Sequence, residues 1–276
     1  MTAGQHSTHD LVIQDDVVIK RYRSWDRGEP RREWTALTLL ARHAPGLAPE
    51  PVAADLDAVP PTVVMGRLPG VPLRGLHAGP AHIRALAAAL IRLHHAVPAR
   101  DLPEPAVWTS AVAVAHVRGW AGRRPVLGED PRVAEAATAG ADWLAGAAPD
   151  RLAAGSPFPP VLGMTDGNRA NYLWDAGSGE IRIVDWEDSG TSDRAFELAE
   201  VTEHISRVDG HLDDDELLAC LDLTAAEAAR VHDFRRLIAL SWLYMLGPGG
   251  PFAARNPPGT LERQAERVLA LLGAGS

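Results

Sequence analysis

The chain has 276 residues, 46% of them hydrophobic and 23% charged, a balance ordinary for a globular protein large enough to bury a sizeable core. A net charge of −9 argues against a nucleic-acid partner, whose phosphates need clustered positive charge, and no run approaches the roughly 18 apolar residues of a membrane span. One cysteine, Cys220, leaves no internal disulfide, and the opening MTAGQHSTHD has neither the basic nor the apolar segment of a signal peptide, so a cytoplasmic protein is expected.

In chain order, Leu11 to Ile13 and Val17 to Tyr22 read as two strands around Gln14-Asp15-Asp16. Of the 27 basic residues, 26 are arginine; the single lysine, Lys20, lies inside the second strand, on the face of Val18 and Tyr22. A compact ammonium and a wide guanidinium fork are not interchangeable, so a lysine at one place in an arginine-biased chain points to a site shaped for it. A helix follows, opened by Pro30, with Trp34, Leu37 and Ala41 at helical spacing. Glu33, placed in its first turn, is either an acid favoured by the helix dipole or a partner for the Lys20 ammonium.

Val52 to Leu56 and Thr62 to Met65 read as further short strands. Gly66-Arg67-Leu68-Pro69-Gly70 then breaks any regular element, and the expected division is a strand-rich lobe over 1–66, a connector at 67–70 and a helical lobe over 71–276. Helices are expected from Pro80 to Val97, from Pro131 to Ala145, from Asp193 to Arg207, in a short piece from Asp213, from a Thr224/Glu227 capping box to Gly247, and at the C-terminus. His94 and His95 are adjacent on the first of these and point about 100° apart, which favours a structural role over a shared metal.

Between these helices lies GMTDGNRANYLWDAGSGEIRIVDWEDSG, from Gly163 to Gly190. Two apolar runs around Ala176-Gly177-Ser178-Gly179 form a hairpin whose open end holds Asn171 and Asp185, with Asp166 five positions upstream of Asn171. Two carboxylates and an amide oxygen suit Mg²⁺ and phosphate chemistry. A strand lysine, a helix glutamate, a D-x-x-x-x-N loop and an aspartate leaving an apolar strand are, in that order, the parts phosphoryl transfer requires. Lys20 would hold the α/β-phosphates of ATP, Glu33 would fix Lys20, Asp166 would orient or deprotonate an acceptor hydroxyl, and Asn171 with Asp185 would bind Mg²⁺.

The segments VVIKRY, RREWTALTLLA, VVMGRLPGVPL, the D-x-x-x-x-N loop, IVDWEDSG and DRAFELAE resemble, in order and over nearly the whole chain, the aminoglycoside phosphotransferase family of the kinase-like superfamily that includes choline kinases. The resemblance implies an α+β, protein-kinase-like two-lobed fold and ATP-dependent phosphorylation of a small-molecule hydroxyl, with an aminoglycoside-like cationic acceptor favoured and choline, a sugar or another antibiotic as alternatives. It also implies that Met65 backs the adenine pocket, that the Gly66 to Leu68 backbone meets the base, and that Asp193 and Glu197 support the catalytic loop. Two departures stand out. Met164-Thr165 replaces the family's His-Gly before the loop aspartate, and only 19 residues precede Lys20, so an abbreviated phosphate loop is expected at Ala3 to Ser7, with Gly4 and Ser7 facing the nucleotide. Glu187, Asp188, Glu203 and Asp213 to Asp215 are candidates for recognising a cationic acceptor, each equally readable as a solvated or helix-capping acid. The competing expectation is a nucleotide-binding module of the same fold without catalysis.

Overall fold

A computed structural model describes residues 9–123 and 125–273. Gly4 and Ser7 lie outside the described residues. The chain opens with the expected hairpin, β1 (His9–Ile13) and β2 (Val17–Tyr22), closed by Gln14 N–H on the Val17 carbonyl at 2.9 Å. With β3 (Pro51–Asp55) and β4 (Thr62–Gly66) it makes an antiparallel sheet of order β1-β2-β4-β3. Register sets the faces: Lys20 stands between Leu11 and Val63, and Val18 lies opposite Met65, so Lys20 and Met65 share one face.

Helix α1 (Glu29–His43) packs against β3 and β4 and buries Leu37 and Leu40. It starts at Glu29, so Glu33 sits in its second turn and not its first, where the dipole reading loses force because that effect fades within one turn. After β4 the chain crosses to β5 (Val71–Pro72) through Gly70, whose φ is +122°. A Cβ there would lie 2.9 Å from the Trp174 carbonyl oxygen, so position and conformation both require glycine.

The remainder is mostly helical: α2 (Pro80–Ala96), α3 (Ser110–Gly122), α4 (Pro131–Leu144), α5 (Ala147–Ala153), α6 (Arg194–Glu203), α7 (Asp214–Ala219), α8 (Ala225–Leu246) and α9 (Thr260–Gly273). The capping box of α8 is present, Glu227 N–H on Thr224 Oγ1 at 3.2 Å and Thr224 N–H on Glu227 Oε2 at 3.0 Å. Helices α6 and α8 form the centre of this half, where Phe196 and Phe234 meet edge to face at 5.4 Å. Strands β7 (Tyr172–Asp175) and β8 (Glu180–Ile183) are the expected hairpin, extended by β5 into a three-stranded sheet. A two-stranded ladder, β6 (Val161–Gly163) with β9 (Gly190–Ser192), lies on either side of it in sequence.

Three features depart from the sequence reading. Helix α3 was not anticipated, because its small residues give no clear apolar stripe and its large rings, His116 and Trp120, face a cavity described below. Helix α5 starts at once after Gly146, where the sequence pattern shows only the end of the preceding helix. The helix expected over Asp193 to Arg207 ends at Glu203, because His204 adopts an extended conformation and its ring accepts Ser206 N–H at 3.1 Å, starting a separate 3₁₀ turn. No helix among the described residues is long and apolar enough to cross a membrane.

His94 is buried in α2, and neither ring nitrogen has a hydrogen-bond partner among the described residues. Burial pulls its pKa from 6.5 down to about 3. The unfolded chain therefore takes up the proton first: the stability contribution is intact above pH 6.5 and is lost as pH falls toward 3, by about 1.4 kcal/mol per pH unit. The carboxyls of Asp166, Asp188 and Asp214, raised to about 6 by burial, act in the opposite direction. The test is thus differential: His94→Leu should gain stability relative to the parent as pH falls from 6 to 4, measured by urea unfolding at each pH.

Candidate active site

Lys20 is 2% exposed, and its ammonium meets Glu33 Oε2 at 2.7 Å, Asp185 Oδ1 at 2.5 Å and Glu187 Oε2 at 3.0 Å. Three carboxylates around one ammonium hold Lys20 charged, its pKa driven up by Glu33 and Asp185 against the desolvation of burial. Glu33 is anchored in turn by the Tyr22 hydroxyl and by Trp186 N–H at 3.4 Å. The β-hairpin, helix α1 and the segment after β8 therefore converge on a single cation; the sequence points to Glu33 as a partner of Lys20, and the structure adds Asp185, assigned by sequence to Mg²⁺.

Glu187, a candidate for the acceptor by sequence, is the third carboxylate on Lys20. Asp185 has φ +70°, and the left-handed turn returns the chain so that both 185 and 187 reach β2. His9 Nδ1 lies 3.3 Å from Glu187 Oε2, and the ligating atoms of His9, Asp185 and Glu187 fall within 4.8 Å of one another. With three carboxylates against one ammonium, the cluster carries excess negative charge and an oxygen-rich donor set, which fits a hard divalent cation such as Mg²⁺.

The loop after β6 is held with comparable care. Met164 and Thr165 donate their N–H groups to Glu197 Oε2 at 2.8 and 3.0 Å, and the Ser192 hydroxyl donates to Glu197 Oε1 at 2.5 Å. Asp193 caps α6 through Ala195 N–H at 3.0 Å and receives Arg230 Nε at 2.7 Å. The Thr165-for-glycine departure falls on a residue at φ +56°, a conformation that costs a β-branched side chain about 1–2 kcal/mol. Its hydroxyl is engaged there, donating to the Asp188 carbonyl at 3.1 Å. Met164 is 2% exposed and fills core space where the family carries histidine. Gly167 follows, and a Cβ on it would stand 2.0 Å from the Glu200 carbonyl oxygen, so the loop lies directly on α6.

Asp166 accepts Asn168 N–H at 2.9 Å on one oxygen and the Asn171 side-chain amide at 3.0 Å on the other. Burial and the nearby Asp185 charge raise its pKa to about 6. Asn171 is tied to the Asp185 strand by Val184 N–H on its own carbonyl at 2.9 Å. His204 also faces this carboxylate. Its Nδ1 accepts from Ser206, which leaves the proton of the neutral ring on Nε2, 3.6 Å from Asp166 Oδ1. No sequence motif marked His204; only the break in its helix brings it there.

Met65 and Gly66 end β4, an inner strand of the sheet, with Met65 on the Lys20 face, and Leu68 follows in the connector. Met65 is buried, Gly66 N–H is taken by the Glu50 carbonyl at 2.8 Å and Arg67 N–H by the Asp16 carbonyl at 2.8 Å. Leu68 N–H has no hydrogen-bond partner among the described residues.

On the other side of Asp166 opens a cavity of about 960 Å³. It is lined by Asp166, Asp185, Asp188 and Glu200, by Trp108 and α3, by the second half of α8, and by Phe252, Ala254, Arg255 and Asn256. Of the acids expected to recognise cationic groups, only Asp188 reaches this cavity. Glu187 holds Lys20, Glu203 is buried under Arg235 and Arg267 at 2.7 and 2.6 Å, Asp213 caps α7, Asp214 holds Arg169 at 2.7 Å and Asp215 meets Arg235 at 3.1 Å. Each of these is committed to a partner within the fold.

The fold is that of kinase-like phosphotransferases. Among solved structures, aminoglycoside phosphotransferase APH(4)-Ia superposes with a TM-score of 0.65 at 16% identity, over 100% of this chain and 93% of that one. Choline kinase LicA from Streptococcus pneumoniae gives 0.61 at 13% identity, over 99% and 90%. Spectinomycin phosphotransferase APH(9)-Ia, in complex with ADP and spectinomycin, gives 0.61 at 11% identity, over 99% and 90%. No curated protein matches by sequence. The family model described as "Phosphotransferase enzyme family" matches residues 4–219, and with that match over most of its length the chain belongs to this family.

Proposed function

We propose that the protein transfers the γ-phosphoryl group of ATP to a hydroxyl of a small molecule. The observation that carries this reading is the convergence on one cleft of a buried, triply paired Lys20 and an Asp166 whose pKa sits near neutrality. Lys20, held in place by Glu33, would bind the α/β-phosphates. The base would lie against Met65, between the Leu11 face of the sheet and the Leu68 N–H, which is available to an acceptor nitrogen of the ring.

Asn171 and Asp185, with Glu187 beside them, would hold Mg²⁺, which when bound neutralises charge on the phosphate oxygens. In the transfer itself the acceptor oxygen bonds to the γ-phosphorus as the bond from that phosphorus to the bridging β,γ-oxygen breaks, and ADP leaves. The hydroxyl proton passes to Asp166, whose two amide contacts aim its carboxylate and whose pKa of about 6 leaves it mostly ionised at neutral pH. His204 Nε2–H, facing the same oxygen, favours the ionised form.

A thermal shift on adding AMP-PNP with Mg²⁺, reversed by EDTA, tests the nucleotide half of this reading; no shift at millimolar nucleotide would overturn it. Lys20→Arg should lower kcat/KM for ATP by about 10²-fold, because a wider fork cannot fit among three carboxylates and displaces the phosphates. Steady-state kinetics on the refolding-competent variant check this, and full activity would remove Lys20 from the site.

A further inference from the structure

The cavity beyond Asp166 divides by chemistry. Four acids line it, Asp166, Asp185, Asp188 and Glu200; Asp188 is paired with Arg27 at 3.2 Å, and burial beside Asp166 raises the Glu200 pKa. The rest of the lining is mostly rings and aliphatic side chains: Trp108, His116 and Trp120 from α3 and the segment before it, Ile238, Trp242 and Phe252 from α8 and the segment after it. His116 packs on Trp120 at 4.4 Å, and Trp242 meets Phe252 edge to face at 5.1 Å, so both walls are rigid apolar surfaces. The charged group at this end is a cation, Arg255, whose guanidinium lies 5.2 Å over the Phe252 ring and has no carboxylate within 4 Å among the described residues.

Resting on the phosphotransferase reading, we infer that the acceptor is an alcohol borne on a bulky, largely apolar body, with a carbonyl or carboxylate directed at Arg255, and not a polyamine sugar. A polycation would leave water for a lining that, outside residues 165–200, offers rings, aliphatic groups and a positive charge but no carboxylate, an unfavourable burial for every charge left unpaired. A small quaternary ammonium alcohol suits this cavity no better. It would leave most of about 960 Å³ unfilled, and the Phe252 face that could bind it already carries Arg255. A rigid body of drug size matches both the volume and the walls.

Isothermal titration in the presence of Mg·AMP-PNP decides the matter, with cholate, quercetin and an erythronolide aglycone as apolar alcohols against kanamycin and choline. At least one apolar alcohol should bind ten times or more tightly than either amine. Trp120→Ala should weaken that binding about tenfold, the worth of one buried ring face. Arg255→Ala, at an exposed position that does not endanger folding, should weaken cholate and leave AMP-PNP binding unchanged. Tighter binding of kanamycin or choline, no binding of any apolar alcohol, or indifference to both substitutions would overturn the inference. Because the readout is binding, a protein that takes an apolar alcohol yet fails to bind AMP-PNP would sink the phosphotransferase reading and not this one.

Discussion

Asp166→Asn is expected to lower kcat for acceptor phosphorylation by about 10²–10⁴-fold, the range for loss of a general base, with the KM for ATP unchanged. The separation of effects follows from the geometry. Asp166 contacts Asn168 N–H and the Asn171 amide on the loop, whereas the charges assigned to the nucleotide come from Lys20, Asp185 and Glu187. An asparagine retains the Asn168 contact but presents an NH₂ to the Asn171 NH₂ or loses the first contact by flipping, so it cannot satisfy both neighbours and cannot take a proton. Steady-state kinetics with ATP varied at saturating acceptor measure the split. A variant with normal kcat would show that Asp166 neither orients nor deprotonates the acceptor.

The second large effect is at Asp185. Asparagine tolerates the left-handed conformation that φ +70° imposes, so Asp185→Asn removes charge while preserving the turn. Lys20 keeps Glu33 at 2.7 Å and Glu187 at 3.0 Å, which protects the buried ammonium from being left unpaired. Turnover of Mg·ATP should nevertheless fall by about 10³-fold, equivalent to several kcal/mol of lost charge stabilisation around the phosphates. Unchanged thermal unfolding without nucleotide, together with a lost Mg²⁺-dependent shift on adding AMP-PNP, would place the effect at the metal. Near-normal activity would remove Asp185 from that role. Asp185→Ala is the less informative substitution, since alanine at this φ adds about 1–2 kcal/mol of backbone strain.

Both positions could be read from the sequence because the signals that mark them are local. Period-2 alternation around Gln14-Asp15-Asp16 and around Ala176 to Gly179 defines two hairpins, and their ends deliver Lys20, Asn171 and Asp185. Glu33 follows from a helix opened by a proline. What the sequence does not display depends on conformations that carry no periodic signature. Glu187 reaches Lys20 only because Asp185 turns left-handed, and His204 reaches Asp166 only because its helix ends one residue earlier. The acids at 213–215 look alike in the sequence, yet one caps a helix and the other two are held by arginines from distant elements.

The aromatic wall of the cavity was hidden for a different reason. Trp108, Trp120, Trp242 and Phe252 come from segments more than a hundred residues apart, and a ring lining a cavity has the same hydropathy as a ring in a core. The one hint was compositional: eight tryptophans among so few aromatic residues. It is this wall that turns attention from a cationic acceptor toward an apolar one, while the chemistry at Asp166 is the same for either.

The central claim, that the cleft between Lys20 and Asp166 performs phosphoryl transfer, is tested most directly by following ATP radiolabelled at the γ-phosphate. With Mg²⁺ and a panel of apolar and polyamine alcohols, the wild-type protein should pass label to an acceptor or, slowly, to water, and Asp166→Ala should do neither. A wild-type protein that binds Mg·ATP saturably and releases no label to any acceptor or to water would contradict the account and identify a nucleotide-binding module instead.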